Sequence, residues 1–363
     1  VEPGVEVQSR CVGEAPPDVL PAAPASGPAW DSLDAWLFPP RDPRSERDRV
    51  GVRTDGVLVV HDGVVVHERY GPGWDAGRRH LAWSASKSFA NALAGIATLE
   101  GFDLDRSICE YRAASRPEAC VLTPRHLLSF SSGLDWHETY EGEPPTTSSV
   151  LAMLYGHGHD DVYAFVTAHR FRDPPGTSWQ YSSGDTNVLT GAVGAFLEPR
   201  HGADWPHEVL FRRIGMRDVT FERDGAGTYV GSSYVWAPPR DLARFGLLLA
   251  ADGCWGADQV LPAGWVAWST EVEPAMGRKV VGWEAGDVQG RQFWLNRVVP
   301  GLQETLPWEG VPDDAFAAMG HWKQSITVIP SRGLVVVRVA DDRDGTFTHA
   351  ELLRRVLAAV EAQ

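Results

Sequence analysis

The sequence predicts an α/β fold: an antiparallel sheet built from both ends of the chain and flanked by helices, with a mainly helical stretch inserted between its halves. Three observations predict it. Residues 57–60 and 64–69 are apolar, β-rich runs on either side of Asp62-Gly63, which reads as a hairpin. Residues 325–329 and 334–339 flank Ser331-Arg332-Gly333 in the same way. Between the two hairpins, residues 101–223 place their apolar side chains mainly at helical spacing.

The elements follow in order. Residues 1–45 carry Pro16, Pro17, Pro21, Pro24 and Pro28 among small residues, which reads as an extended arm or linker. In 84–100, Phe89, Leu93, Ile96, Ala97 and Leu99 recur at helical spacing and Gly101 stands as the stop, so Ser84 opens a helix. Thr123-Pro124 reads as an N-cap followed by a proline in the first turn of a short helix. Asp160 and Asp161 precede a helix over 162–169. Pro174-Pro175-Gly176 forms a turn, and another helix begins near Asp185. Thr348 and Glu351 have the spacing of a capping box before the last helix.

Composition bounds the function. A chain of 363 residues that is 43% hydrophobic can bury a large core, as one large domain or two interleaved ones. A net charge of −15 argues against nucleic acid or an anionic membrane as partner, since either demands a basic stripe, and no membrane span is visible. The partner expected is a small-molecule substrate. The chain begins at Val1 without a charged-then-apolar leader, so a signal peptide is expected to have been removed or never encoded. Four cysteines allow three pairings. The short loop between Cys109 and Cys120 favours that disulfide and leaves Cys11 to Cys254, which suits a periplasmic or secreted setting; the alternative is four free thiols in a cytoplasmic enzyme.

The chemistry is carried by a few residues. The chain has three lysines among thirty-three basic residues, the others all arginine, and two of the three lie in short motifs of catalytic appearance. Arginine does not act as a base in proteins, whereas a desolvated lysine can. In Ser84-Ala85-Ser86-Lys87 the hydroxyl and the amine are three residues apart, hence neighbours on a helix face. The positive end of the helix would favour a developing oxyanion there. This is the S-x-x-K arrangement of serine acyl-transfer enzymes. Its bland reading is a capping serine and a solvated lysine, so further positions are needed. They appear in order as Ser131-Ser132-Gly133-Leu134-Asp135-Trp136, Tyr181-Ser182-Ser183, and Gly320-His321-Trp322-Lys323-Gln324 leading into an alternating strand.

From about Val50 to the C-terminus this set resembles the serine β-lactamase-like family, which includes class C β-lactamases, penicillin-binding DD-peptidases, carboxylesterases and 6-aminohexanoate-oligomer hydrolases. The last two are the closer branch. The segments Gly231-Ser232-Ser233-Tyr234 and Arg240 to Gly246 add to the resemblance. It implies Ser84 as nucleophile, Lys87 as its base partner, Tyr181 as the second-motif tyrosine and His321 as the start of the third motif. It also implies an oxyanion hole from the backbone N–H groups of Ser84 and Gln324. On the fold, it implies an α/β lobe of 46–100 and 224–363 and a helical lobe of 101–223, with the active site between them.

Two departures stand out. Ser183 replaces the usual asparagine of the second motif, which puts β-lactam recognition in doubt. Lys323 stands where the third motif expects glycine. On a strand it would point where His321 points and leave a narrowed, more positive pocket, with Trp322 beside it on the substrate side. A rival register makes Lys323 the motif lysine and Ser325 the glycine position. Glu138 and Tyr140 read equally as cleft or surface-loop residues.

The reading is a serine hydrolase cleaving a small ester or amide, with Lys323 pointing to a carboxylate-bearing substrate. A β-lactamase or DD-peptidase is the alternative, and a catalytically silent binding protein the alternative of another class. Metal sites are read as absent. His157-Gly158-His159-Asp160-Asp161 nears a metallo-hydrolase pattern, but Val162 stands where its last histidine belongs. Asp342-Arg343-Asp344-Gly345 nears a calcium loop, but Ala340 holds the first ligand position and a strand precedes it. No cofactor is expected.

Overall fold

The computed structural model describes residues 11–140, 144, 146–282 and 284–362. Both predicted hairpins form and join in one sheet. Its strands are β1 (Thr54–His61), β2 (Val64–Tyr70), β3 (Trp294–Leu295), β4 (Phe316–Gly320), β5 (Gln324–Ile329) and β6 (Leu334–Ala340). Their spatial order is β2-β1-β6-β5-β4-β3 with antiparallel neighbours. The two chain ends meet at the β1–β6 seam, where Leu58 faces Val337 and Val60 faces Val335.

Strand alternation fixes what covers each face. Val57, Val59 and Val336 belong to a core shared with Trp30, Leu33 and Leu37 of α1 (Pro28–Leu37) and with Leu352, Leu353 and Val356 of the C-terminal helix. Leu58, Val60, Val335 and Val337 belong to the opposite core, with Phe89, Leu93, Leu242 and Phe245. Each fully buried valine or leucine contributes about 1.5–3 kcal/mol, so the sheet is held by apolar cores on both faces.

Residues 28–37, read in sequence as part of an extended arm, are therefore helical. Trp30, Leu33 and Leu37 give them an apolar stripe that outweighs the proline signal. A second helix, α2 (Pro43–Asp48), follows, capped by Asp42. The segment before α1 is extended and hydrogen-bonds the edge strand: Ala23 N donates to Val65 O at 3.0 Å and Val65 N to Pro21 O at 2.8 Å. This covers an otherwise open sheet edge.

On the inner face α3 (Ser86–Leu99) is buried from Ser86 to Ala97, and its small residues admit close neighbours. A methyl at Gly95 would lie 2.7 Å from the Trp265 ring. The segment between the hairpins supplies α4 (Pro124–Leu128), α5 (Ser149–Tyr155), α6 (Val162–Thr167) and α7 (Ser183–His201). Beyond them lie α8 (Pro239–Ala250), α9 (Trp265–Ser269) and α10 (His349–Glu361). As expected, Thr123 caps α4, and Asp161 caps α6 by accepting from Ala164 N at 2.9 Å.

The capping box at Thr348 does not form. Thr348 makes no side-chain cap, and Glu351 instead meets Arg354 and Arg355, each at 2.7 Å. In the Asp342–Gly345 turn the acids hold the N-terminal side of β1: Arg53 N donates to Asp342 at 2.9 Å and Gly51 N to Asp344 at 2.7 Å. The expected disulfides Cys109–Cys120 and Cys11–Cys254 are both present. No helix among the described residues is long and apolar enough to cross a membrane.

Candidate active site

Ser84 lies in the 3-10 turn Trp83–Ala85 that leads directly into α3, whose first N–H groups have no side-chain cap. The positive end of the helix is thus left at Ser84. Lys87, one turn on, donates to Ser84 Oγ at 3.1 Å, to Ser183 Oγ at 2.9 Å and to Ser232 O at 3.0 Å. It is only 2% exposed. Burial lowers its amine from 10.5 to about 8, with the charge of Glu138 acting the other way.

The partners of Lys87 arrive from separate elements. Ser183 is the first residue of α7, and Ser182 caps that helix by accepting from Asp185 N at 2.9 Å. Ser232 is held by Asn187, which accepts from its N–H at 3.0 Å. Gly231 is required beside it, because a Cβ there would fall 2.1 Å from Thr190 Oγ1. Tyr181 sets its ring 4.9 Å from Lys87 Nζ, and its hydroxyl interacts with Ser84. Burial, followed by the Glu138 charge, holds that phenol well above its ordinary pKa.

Sequence reasoning left Glu138 undecided between cleft and surface loop; the structure puts it in the cleft. Its carboxylate accepts from Ser183 Oγ at 2.5 Å, Ser183 N at 2.9 Å, Trp136 Nε1 at 2.5 Å and the Tyr140 hydroxyl. A signal existed, since Trp136, Glu138 and Tyr140 alternate as residues on one face of an extended segment do. Tyr140 in turn stacks on His321 with ring centroids 5.2 Å apart. Asp185 escaped notice as anything but a helix start. It accepts from Ser132 Oγ at 2.7 Å and so ties the 131–136 segment to α7, and burial raises its carboxyl from 3.8 to about 7.

The third motif differs from the sequence reading. His321, Trp322 and Lys323 are not on a strand; they form the tight connection between β4 and β5, with left-handed φ of 57° at Trp322 and 69° at Lys323. The turn, rather than strand alternation, brings His321 and Lys323 to the same side. His321 and Lys323 line the cavity of about 1160 Å³ that contains Ser84, with Lys323 exposed on it, whereas Trp322 lines a different cavity. The glycine packed against the nucleophile turn is Gly320, where a Cβ would lie 2.1 Å from Ala82 O. The Gln324 side chain is turned away from the cavity, donating to Ala340 O at 2.6 Å and accepting from Ala340 N at 2.9 Å, which locks β5 to β6 and leaves only the backbone N–H of Gln324 for the oxyanion role.

A buried lysine joining a helix-start serine to Ser183, with a tyrosine alongside, is an arrangement suited to acyl transfer. The sequence pattern of the Beta-lactamase family matches residues 43–361. The chain belongs to that family.

Comparison with curated proteins by sequence finds no match. Solved structures show the beta-lactamase-family fold at low identity. A Bacillus anthracis protein with the provisional name 6-aminohexanoate-dimer hydrolase is 20% identical, with a TM-score of 0.72 over 97% of this chain and 90% of its own. A penicillin-binding protein homologue from Caulobacter crescentus is 14% identical, with a TM-score of 0.67 over 93% and 99%. A family VIII carboxylesterase is 16% identical, with a TM-score of 0.65 over 94% and 99%.

Proposed function

We propose that this beta-lactamase-family protein is a serine hydrolase that cleaves a small ester or amide through an acyl-Ser84 intermediate. The observation that carries the reading is the 3.1 Å contact between Ser84 Oγ and a fully buried Lys87 whose amine is brought to about 8. A neutral Lys87 takes the Ser84 proton as Oγ attacks the carbonyl carbon. Tyr181, kept protonated by its surroundings, gives its proton to the departing oxygen or nitrogen as that bond breaks, and the proton held by Lys87 restores it. Water then adds to the acyl carbon, passing its proton to the same pair, and Ser84 recovers its hydrogen.

Ser183 and Glu138 are positioning residues in this scheme: Ser183 accepts from Lys87 and donates to Glu138. The oxyanion is received by the backbone N–H groups of Ser84 and Gln324. His321, stacked on Tyr140, lines the leaving-group side, and Lys323 on the cavity wall receives a substrate carboxylate. The assignment of 46–100 and 224–363 to one lobe and 101–223 to another belongs to the same proposal. So does an oxidising compartment, which the two disulfides support. Ser183 in place of an amide side chain favours ester or amide over β-lactam, and the structural relatives carry both kinds of name, a hydrolase and a carboxylesterase beside β-lactamases.

The test is intact-mass analysis after exposure to a reactive fluorophosphonate, with peptide mapping. One adduct on Ser84, absent from Ser84→Ala, is expected. Full ester and amide turnover by Ser84→Ala would end the proposal.

A further inference from the structure

Trp83 and Ser84 are adjacent yet line different cavities, and so are Trp322 and its neighbours His321 and Lys323. The two indoles, edge to face at 5.5 Å, thus form a wall between the Ser84 cavity and a second one of about 940 Å³. That second cavity is bounded by the chain after α1, the start of β1, the end of β2 and the turn after β6. None of its groups has a part in the acyl-transfer scheme.

Its lining is chemically distinct within a chain of net charge −15. Arg41, Arg49, Arg53, Arg69 and Arg343 stand with three lining carboxylates, Glu46, Asp55 and Asp341, and Arg69 meets Asp34, which is not on the lining, at 2.7 Å. Four of these arginines share two acids. Arg41 and Arg53 meet Glu46 at 3.5 and 2.9 Å, and Arg49 and Arg343 both meet Asp341. Asp55 is engaged by His80 at 3.0 Å. The wall is therefore positive overall. Interleaved with the cations are Trp74, Trp83, Trp236 and Trp322, and the Arg343 guanidinium lies 3.8 Å from the Trp322 ring centroid.

Two donors on lining residues remain unmatched. Arg53 Nε and Trp322 Nε1 are buried with no hydrogen-bond acceptor among the described residues, Arg53 Nε lying 3.9 Å from Asp341 Oδ2, and the Arg53 side chain is only 4% exposed. Guanidinium groups recognise carboxylates through paired N–H donors, and indoles bury flat rings.

We propose that this cavity is a second ligand site, separate from the Ser84 cavity, that takes a planar aromatic carboxylate with its ring among the indoles and its anion on the arginines. The probe is 2-naphthoate, titrated into the full chain at low salt and followed by tryptophan fluorescence and calorimetry, with 2-naphthamide as the uncharged isostere. Saturable micromolar binding of the naphthoate is expected, with the amide at least tenfold weaker. Arg343→Gln and Trp236→Ala, both at partly exposed positions, should each weaken naphthoate at least fivefold, while Lys323→Ala in the Ser84 cavity should change it less than twofold. Absence of saturable binding, equal affinity for the amide, or loss with Lys323→Ala but not with Arg343→Gln would overturn the proposal.

Discussion

Lys87 shows how few atoms separate a structural cation from a base. Burial holds its amine near 8, and Glu138, two hydrogen bonds away through Ser183, is the charge that opposes this. The neutral amine is the reactive form in the proposed mechanism, so hydrolysis should rise with pH through about 8 and level off above it. Replacing Glu138 by glutamine removes a charge that stabilises the ammonium, so the rising limb should move to lower pH; a limb that stays in place or moves up would separate Glu138 from Lys87. Lys87→Met should cost on the order of 10²–10⁴-fold in turnover, the usual worth of such a proton acceptor. Ser84 and Lys87 were legible because spacing on a helix and an arginine-dominated composition single them out, and Tyr181 through the family resemblance of its motif. Glu138 was half legible: its alternation with Trp136 and Tyr140 shows in the sequence, but nothing local says that this face meets α7 rather than solvent.

The elements that were readable are those whose burial writes a period into the sequence. Both hairpins formed because each strand buries two faces of β-branched residues, and α3 because its apolar and small residues wrap the whole cylinder. The 321–323 connection failed as a strand because a reversal made by Trp322 and Lys323 in left-handed conformation carries no glycine or proline signal. Similarly, α1 was hidden by the prolines around it. The start of α7 carries a prediction of its own. Asp185 is fully buried, its carboxyl raised from 3.8 to about 7, and it holds Ser132 to the helix. A raised folded-state value means that the native state binds the proton more tightly than the unfolded chain. The group's favourable contribution is complete below about 4 and is lost as pH rises toward 7, at a cost on the order of 4 kcal/mol. Denaturant titrations between pH 4.5 and 8 should show this loss in the wild type and a flatter profile in Asp185→Asn. Equal slopes would mean that Asp185 does not titrate in that window.

At the scale of the whole molecule, the N-terminal part of the chain is fastened twice, to β6 by strand pairing at the β1–β6 seam and to Cys254, just after α8, by a disulfide. Cys11–Cys254 joins residues 243 apart, whereas Cys109–Cys120 closes a loop of 11. The extended segment between Cys11 and α1 is also held by Pro17 O, which accepts from Arg244 at 2.6 Å, and by its pairing with β2. Those contacts keep the segment in place in the folded state, so cutting Cys11–Cys254 should act chiefly on the unfolded chain, where it releases the longer loop. Loop-closure entropy assigns roughly 5 kcal/mol to that bridge and roughly 3 kcal/mol to the short one. The paired variant Cys11→Ser with Cys254→Ser should therefore lower the guanidinium midpoint more than Cys109→Ser with Cys120→Ser, and wild type in excess reductant should fall below both. If the short-loop pair proved the costlier, folded-state contacts of the 109–120 loop, not chain entropy, would govern stability, and the arm would be a passive cover on the sheet edge.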